Sequence, residues 1–166
     1  MTETITTTQA AAMLKAALQA AYPDVTFSVR RNRGTAANWL RVFYTDGPTG
    51  RAVHKITDQY TSLRYDGQSE DQVPARLVAF DGEDVPRLVR YAVSGVAVHR
   101  TMGPAGRAAA AARIAAAAPG IKCLDDDGNL THAALSPQVA ERLGGPHWAH
   151  GPATVHDIAW PVFCDL

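Results

Sequence analysis

The run Val25-Thr26-Phe27-Ser28-Val29-Arg30, the polar stretch Arg31-Asn32-Arg33-Gly34-Thr35-Ala36-Ala37-Asn38, and the second run Trp39-Leu40-Arg41-Val42-Phe43-Tyr44 decide the fold class of this chain. In the first run Val25, Phe27 and Val29 alternate with Thr26, Ser28 and Arg30, the period of two expected of a strand with one buried and one wet face. The second run has the composition of a partner strand. A glycine-containing polar connection between them predicts an antiparallel hairpin with a long tip.

Upstream, Ala11, Leu14, Leu18 and Ala21 recur at spacings of three and four, which predicts an amphipathic helix capped by Thr8 and stopped by Pro23. Downstream, Thr45-Asp46-Gly47-Pro48-Thr49 is a turn, because Asp-Gly favours positive φ and proline cannot continue a central strand. Thr49 can cap a second helix that presents Val53, Ile56 and Tyr60 on one face and ends near Tyr65-Asp66-Gly67. Residues 66–75 are polar and read as a loop. Segments 76–80 and 89–99 read as two further strands, the second bent at Ser94-Gly95.

Beyond residue 100 the pattern changes. Residues 105–118 are almost continuous alanine, with high helix propensity and little to bury, and Pro119-Gly120 ends the run. A short hairpin around Asp127-Gly128 and a helix begun by Ser136-Pro137 and reaching Leu143 follow, then a loop over 144–152. Residues 155–163 read as a short strand that Pro161 confines to a sheet edge. The expectation is an α+β fold: an antiparallel sheet starting in the order α-β-β-α-β-β, packed by helices, with additional C-terminal helices and the short edge strand. One domain over 1–166 is expected, with a core over 10–100 and an extension over 101–166.

Composition narrows function by exclusion. With 46% hydrophobic and 19% charged residues the chain can bury a core. Sixteen basic and sixteen acidic residues cancel, so no global field draws it to nucleic acid or to an anionic membrane. The balance is uneven along the chain, however: residues 1–65 carry eight basic against four acidic side chains. Two cysteines, Cys123 and Cys164, match neither a disulfide framework nor a redox or four-cysteine zinc motif, and no apolar run approaches a membrane span. The N-terminal residues lack the basic start and apolar centre of a signal peptide, so the cytoplasm is the default expectation. No nucleotide-binding loop, nucleophile elbow or cofactor fingerprint is present, and no cofactor is expected.

Taken together, Tyr22-Pro23-Asp24-Val25-Thr26-Phe27-Ser28-Val29-Arg30, Val42-Phe43-Tyr44-Thr45-Asp46-Gly47-Pro48-Thr49, the positions Val53, Ile56 and Tyr60, and Tyr65-Asp66-Gly67 resemble the large polyvalent protein associated domain 29 over roughly residues 10–70. Asp24 and Gln68 depart from the family's usual glycine and methionine. The resemblance implies an accessory role in proteins of phages, conjugative elements and their bacterial hosts, and it carries no catalytic residue.

Three groups of residues have chemistry of their own. Arg30, Arg31, Arg33 and Arg41, with Phe27, Trp39 and Phe43 beside them, combine guanidinium groups for phosphates with rings for bases. The bland alternative is a half-wet sheet whose solvent face happens to carry arginine. His147, His150, His156 and Cys164 are zinc-compatible in type, although their spacing fits no standard zinc motif. Asp125-Asp126-Asp127-Gly128-Asn129 is carboxylate-rich but fails as a calcium loop, since Leu130 and Ser136 stand where Gly and Glu are needed. Asp46, His54 and Asp66 form a further weak hydrolase candidate. The preferred expectation is a non-enzymatic module that binds a macromolecular partner, nucleic acid or protein, through the front hairpin. The alternatives are a metal-assisted hydrolase or nuclease, and an inhibitor or immunity-type protein-binding module. Oligomeric state is not legible.

Overall fold

In the computed structural model, residues 2–65, 70–80 and 84–143 are described. The chain divides into two compact units, the first ending at Arg100 and the second beginning at Thr101.

The first unit opens with a short strand, β1 (Glu3–Ile5), and a fifteen-residue helix, α1 (Thr7–Ala21). Thr6, not Thr8, is the cap: its hydroxyl accepts from Gln9 N while Gln9 Oε1 accepts from Thr6 N at 3.0 Å, a reciprocal capping box. Of three consecutive threonines only Thr6 has a glutamine three residues on, which is what selects it. Ala10, Leu14 and Leu18 are fully buried, and each leucine contributes about 1.5–3 kcal/mol by leaving water.

The hairpin forms as expected from β2 (Ser28–Arg31) and β3 (Trp39–Thr45), with Ser28 opposite Phe43, Val29 opposite Val42, Arg30 opposite Arg41 and Arg31 opposite Leu40. Its tip carries one 3-10 turn, Gly34–Ala36, and Asn32 N closes onto Trp39 O at 2.9 Å. Helix α2 (Gly50–Thr57) follows, capped by the Thr49 hydroxyl, which accepts from Ala52 N. Val53 is buried, and Ile56 and Tyr60 pack against the core as their spacing predicts, but the helix ends at Thr57, short of the expected end near residue 65, and Tyr60 lies in the 3-10 turn Asp58–Tyr60.

The remaining strands are β4 (Leu63–Tyr65), β5 (Glu70–Gln72), β6 (Arg76–Val78), β7 (Arg87–Tyr91) and β8 (Gly95–Thr101). They form three small sheets, β1-β7-β6, β2-β3-β8 and β4-β5. The α+β class holds, but the expected order is corrected: a strand precedes α1, β5 falls within the stretch read as loop, and the sheet β1-β7-β6 is mixed, because β7 pairs parallel with β1 and antiparallel with β6. The segment 89–99 is not one bent strand: it breaks at Ala92–Ser94 and its halves enter different sheets. At the break Ala92 N donates to Ile5 O at 2.8 Å, Ser94 N donates to Asn38 O at 2.9 Å and Val93 O accepts from Ser62 N at 2.7 Å, so the backbone groups freed there are satisfied by three other segments.

The apolar sides of α1, β2, β3, β7 and α2 meet in one core that includes Phe27, Leu40, Val42, Tyr44, Val89 and Tyr91. Arg100 is buried beside it for a specific reason. Its Nε and Nη2 donate to Asp46 O and Gly47 O at 3.1 and 2.8 Å, holding a turn in which both residues have left-handed backbone (φ 54° and 65°). Tyr44 adds a hydrogen bond from its hydroxyl to Pro48 O at 3.0 Å. At Gly47 a Cβ would lie 2.8 Å from Val25 Cγ2, so both φ and space demand glycine.

In the second unit α3 (Pro104–Ala117) starts with Pro104 at its first position and buries Gly106, Ala110, Ala111 and Ile114. Ala111 and Ile114 join Ala118, Cys123, Ala134 and Val139 in a second core. Small side chains thus bring the alanine-rich helix close to its neighbours instead of leaving it to fray. Helix α4 spans Pro137–Arg142, and the turn between them closes through a Leu124–Leu130 bridge. The edge strand expected over 155–163 lies outside the described residues. No helix among the described residues is long and apolar enough to cross a membrane.

Two outcomes test this account. Gly47→Ala should cost about 1–3 kcal/mol in chemical denaturation, through its left-handed backbone and its contact with Val25. Burial raises the Tyr60 phenol above its ordinary range, as does the charge on Tyr91, whose ring centroid is 5.3 Å away. Burial likewise raises Tyr91, with Arg76 opposing. A raised acid pKa means that the folded state prefers the neutral phenol. Stability should therefore be intact below pH ~10 and fall as pH rises above it, and phenolate absorbance should show tyrosines titrating later in the folded protein than in urea.

Candidate nucleic-acid interface

A strand's alternation assigns its side chains to faces. On β3, Leu40, Val42 and Tyr44 are buried, so Trp39, Arg41, Phe43 and Thr45 stand on the opposite face. The hairpin register then places Ser28 beside Phe43 and Arg30 beside Arg41 on that same face. On β8, Val96 and Val98 pack against the core and Arg100 is buried, which leaves Gly95, Ala97, His99 and Thr101 on the face shared with Arg41.

The outer face carries a row of π systems and cations. The rings of Phe43 and His99 stack with centroids 4.8 Å apart at 13°, close to the spacing of adjacent strands. On the other side the Arg30 guanidinium lies 5.8 Å from the Phe43 centroid, and its Nε donates to Ser28 Oγ at 3.0 Å. Further along β3, Trp39 lies over Gly95, where a Cβ would come within 2.6 Å of the indole, and it remains 41% exposed. Here glycine is needed for close approach and not for its φ.

An open groove of about 400 Å³ is lined by Arg30, Arg31, Asn32, Arg33, Ala36, Arg41 and Phe43. Four arginines proposed from sequence therefore converge on one concavity of a size suited to ligand binding. Among the described residues no acidic side chain lines it and no carboxylate pairs with any of the four. Arg30 and Arg41 are cross-strand neighbours of like charge, an arrangement that costs stability on a sheet face. Trp39 is on the face but not in the groove lining. Phe27, considered with these rings from sequence, is instead core, 2% exposed and tilted against Tyr44 with centroids 5.1 Å apart.

His99 is the residue that sequence reasoning missed. The alternation of Val96 and Val98 with Ala97 and His99 marks it as outward, but nothing local says that β8 lies beside β3.

The other candidates are placed less suggestively. His147, His150, His156 and Cys164 lie outside the described residues, as does Asp66. Asp46 sits in the turn held by Arg100, and exposed His54 lies 3.9 Å from Asp58, one helical turn along. Asp125 Oδ1 accepts from Asp127 N and Asn129 N at 3.0 and 2.8 Å, the geometry of an Asx turn. Among the described residues no three His, Cys, Asp or Glu side chains gather as a metal site would require.

If Arg30 and Arg41 are opposed at the expense of stability, Arg41→Thr should raise stability at low salt by up to about 1 kcal/mol. The gain should shrink as salt screens the pair. Urea denaturation at two ionic strengths checks both.

The family model of large polyvalent protein associated domain 29 matches residues 5–103, a span that includes the hairpin, the Arg100-held turn and His99. No curated protein and no solved structure matches the chain.

Proposed function

Because this chain belongs to the large polyvalent protein associated domain 29 family, we propose that it is a non-enzymatic accessory module of a phage, a conjugative element or a bacterial host, and that it binds nucleic acid through the outer face of β2-β3-β8 and the adjoining hairpin tip. The observation that carries this reading is the convergence of four arginines, none paired with a described carboxylate, on one groove. Guanidinium groups so placed suit phosphodiester oxygens, which they contact in forked, charge-assisted hydrogen bonds. Counterion release then supplies affinity even though the chain as a whole is neutral.

A second reading, a protein partner, has its own support. Leu77 and Leu88 are directly opposed on β6 and β7 and are 72% and 39% exposed, with Val85 nearby in sequence at 72%. Opposed apolar side chains left in water mark a surface that gains from being covered. The arginine groove remains the stronger case, because it joins charge, concavity and rings in one place.

Labelled DNA and RNA titrated with the protein at low and physiological salt should show binding that weakens steeply with salt. Arg31→Ala combined with Arg33→Ala should lower affinity across sequences and reduce the slope of log affinity against log salt by about 2. Absence of binding at low salt overturns the reading.

A further inference from the structure

We infer that the outer face of β2-β3-β8 selects single-stranded over double-stranded nucleic acid, using the Phe43–His99 stack and Trp39 as two seats for unpaired bases. This rests on the nucleic-acid reading above and narrows its target. The rings and the arginines alternate along one strand. Trp39 and Phe43 are four residues apart on β3, a separation of ~13 Å, with Arg41 between them on the same face. An extended single strand could lay bases on the two rings, with an intervening nucleotide whose phosphates pass Arg41.

The ring geometry supports seating at the edge of the stack. Phe43 already has Arg30 on one side and His99 on the other. His99 lies on β8, an outer strand of its sheet, and is exposed; among the described residues no second ring stacks on it. A base added there would continue the row Arg30, Phe43, His99. Trp39, held against Gly95 and 41% exposed, presents the second seat.

A duplex cannot use these rings. Its bases are engaged in their own stack, so it would offer the face phosphates alone and leave Trp39 and His99 idle. Charge by itself favours the duplex, whose phosphates are denser along its axis and release more counterions per contact. Preference for the single strand therefore requires the rings to contribute, and stacking on aromatic side chains is the sequence-tolerant way in which single-strand sites do so.

The test compares oligonucleotides of about 12 nucleotides, within the usual span of one such site, as single-stranded DNA, single-stranded RNA and the DNA duplex. They are titrated into the full chain, into His99→Ala and into Trp39→Ala, with far-ultraviolet circular dichroism confirming the fold of each. The expected result is tighter binding of the single strands, with each substitution weakening them by roughly 5- to 150-fold and leaving the duplex nearly unchanged; the DNA and RNA arms show which sugar is preferred. Duplex binding equal to or tighter than single-strand binding overturns the inference and leaves the nucleic-acid reading standing. So does single-strand affinity unaltered in both folded variants. No binding to any of the three overturns both.

Discussion

A sheet of three strands has two faces, and the first unit of this protein covers one of them. Leu14 and Leu18 of α1 and the inward residues Leu40, Val42 and Tyr44 of β3 bury one another in a single core, and the period of two then leaves Trp39, Arg41 and Phe43 no alternative but the outer face. The ring stack, the opposed Arg30 and Arg41 and their share of the groove follow from that assignment, while Arg31, opposite Leu40, and Arg33, in the tip, complete the groove from the end of the hairpin. A one-residue slip of register would exchange the two sets and destroy core and face together. Burial of apolar side chains on one side is thus what holds a costly arrangement of like charges on the other.

This dependence explains what could be read from the sequence. Alternation in Val25–Arg30 and Trp39–Tyr44, with a polar stretch between, is local information, and it located the hairpin and the four arginines that line the groove. The threonine cap of α2 and the Pro48-bearing turn were equally local. What escaped was non-local. β1 is a three-residue threonine-bearing segment whose strand character comes from pairing with β7 more than eighty residues on. The break at Ala92–Ser94 depends on Ile5 and Asn38 being there to receive its amides. His99 joined the face only because β8 lies beside β3. The histidine cluster of the last twenty residues stays a sequence observation.

The residues that signal the family and those that line the groove are largely different. Asp46-Gly47-Pro48-Thr49 is a structural device: left-handed backbone at two residues, carbonyls held by Arg100, a hydroxyl capping α2. Arg31, Arg33 and Trp39 lie outside the stretches that carry the resemblance. Such a turn builds a scaffold, and a scaffold does not by itself dictate what the outer face binds.

The Arg100 contact also has a consequence in time. On a ribosome the hairpin and its turn emerge first, and the guanidinium that holds the turn follows 54 residues later. At ordinary rates of synthesis that is a wait of roughly 3 to 11 seconds. Throughout it the edge of β3 that will receive β8 is unpaired, and an unpaired strand edge invites other chains. Arg41, set midway along that edge strand, gives the nascent hairpin a charge that discourages such pairing. The arginine-rich face would then act before the fold is complete, as a guard on an unfinished sheet.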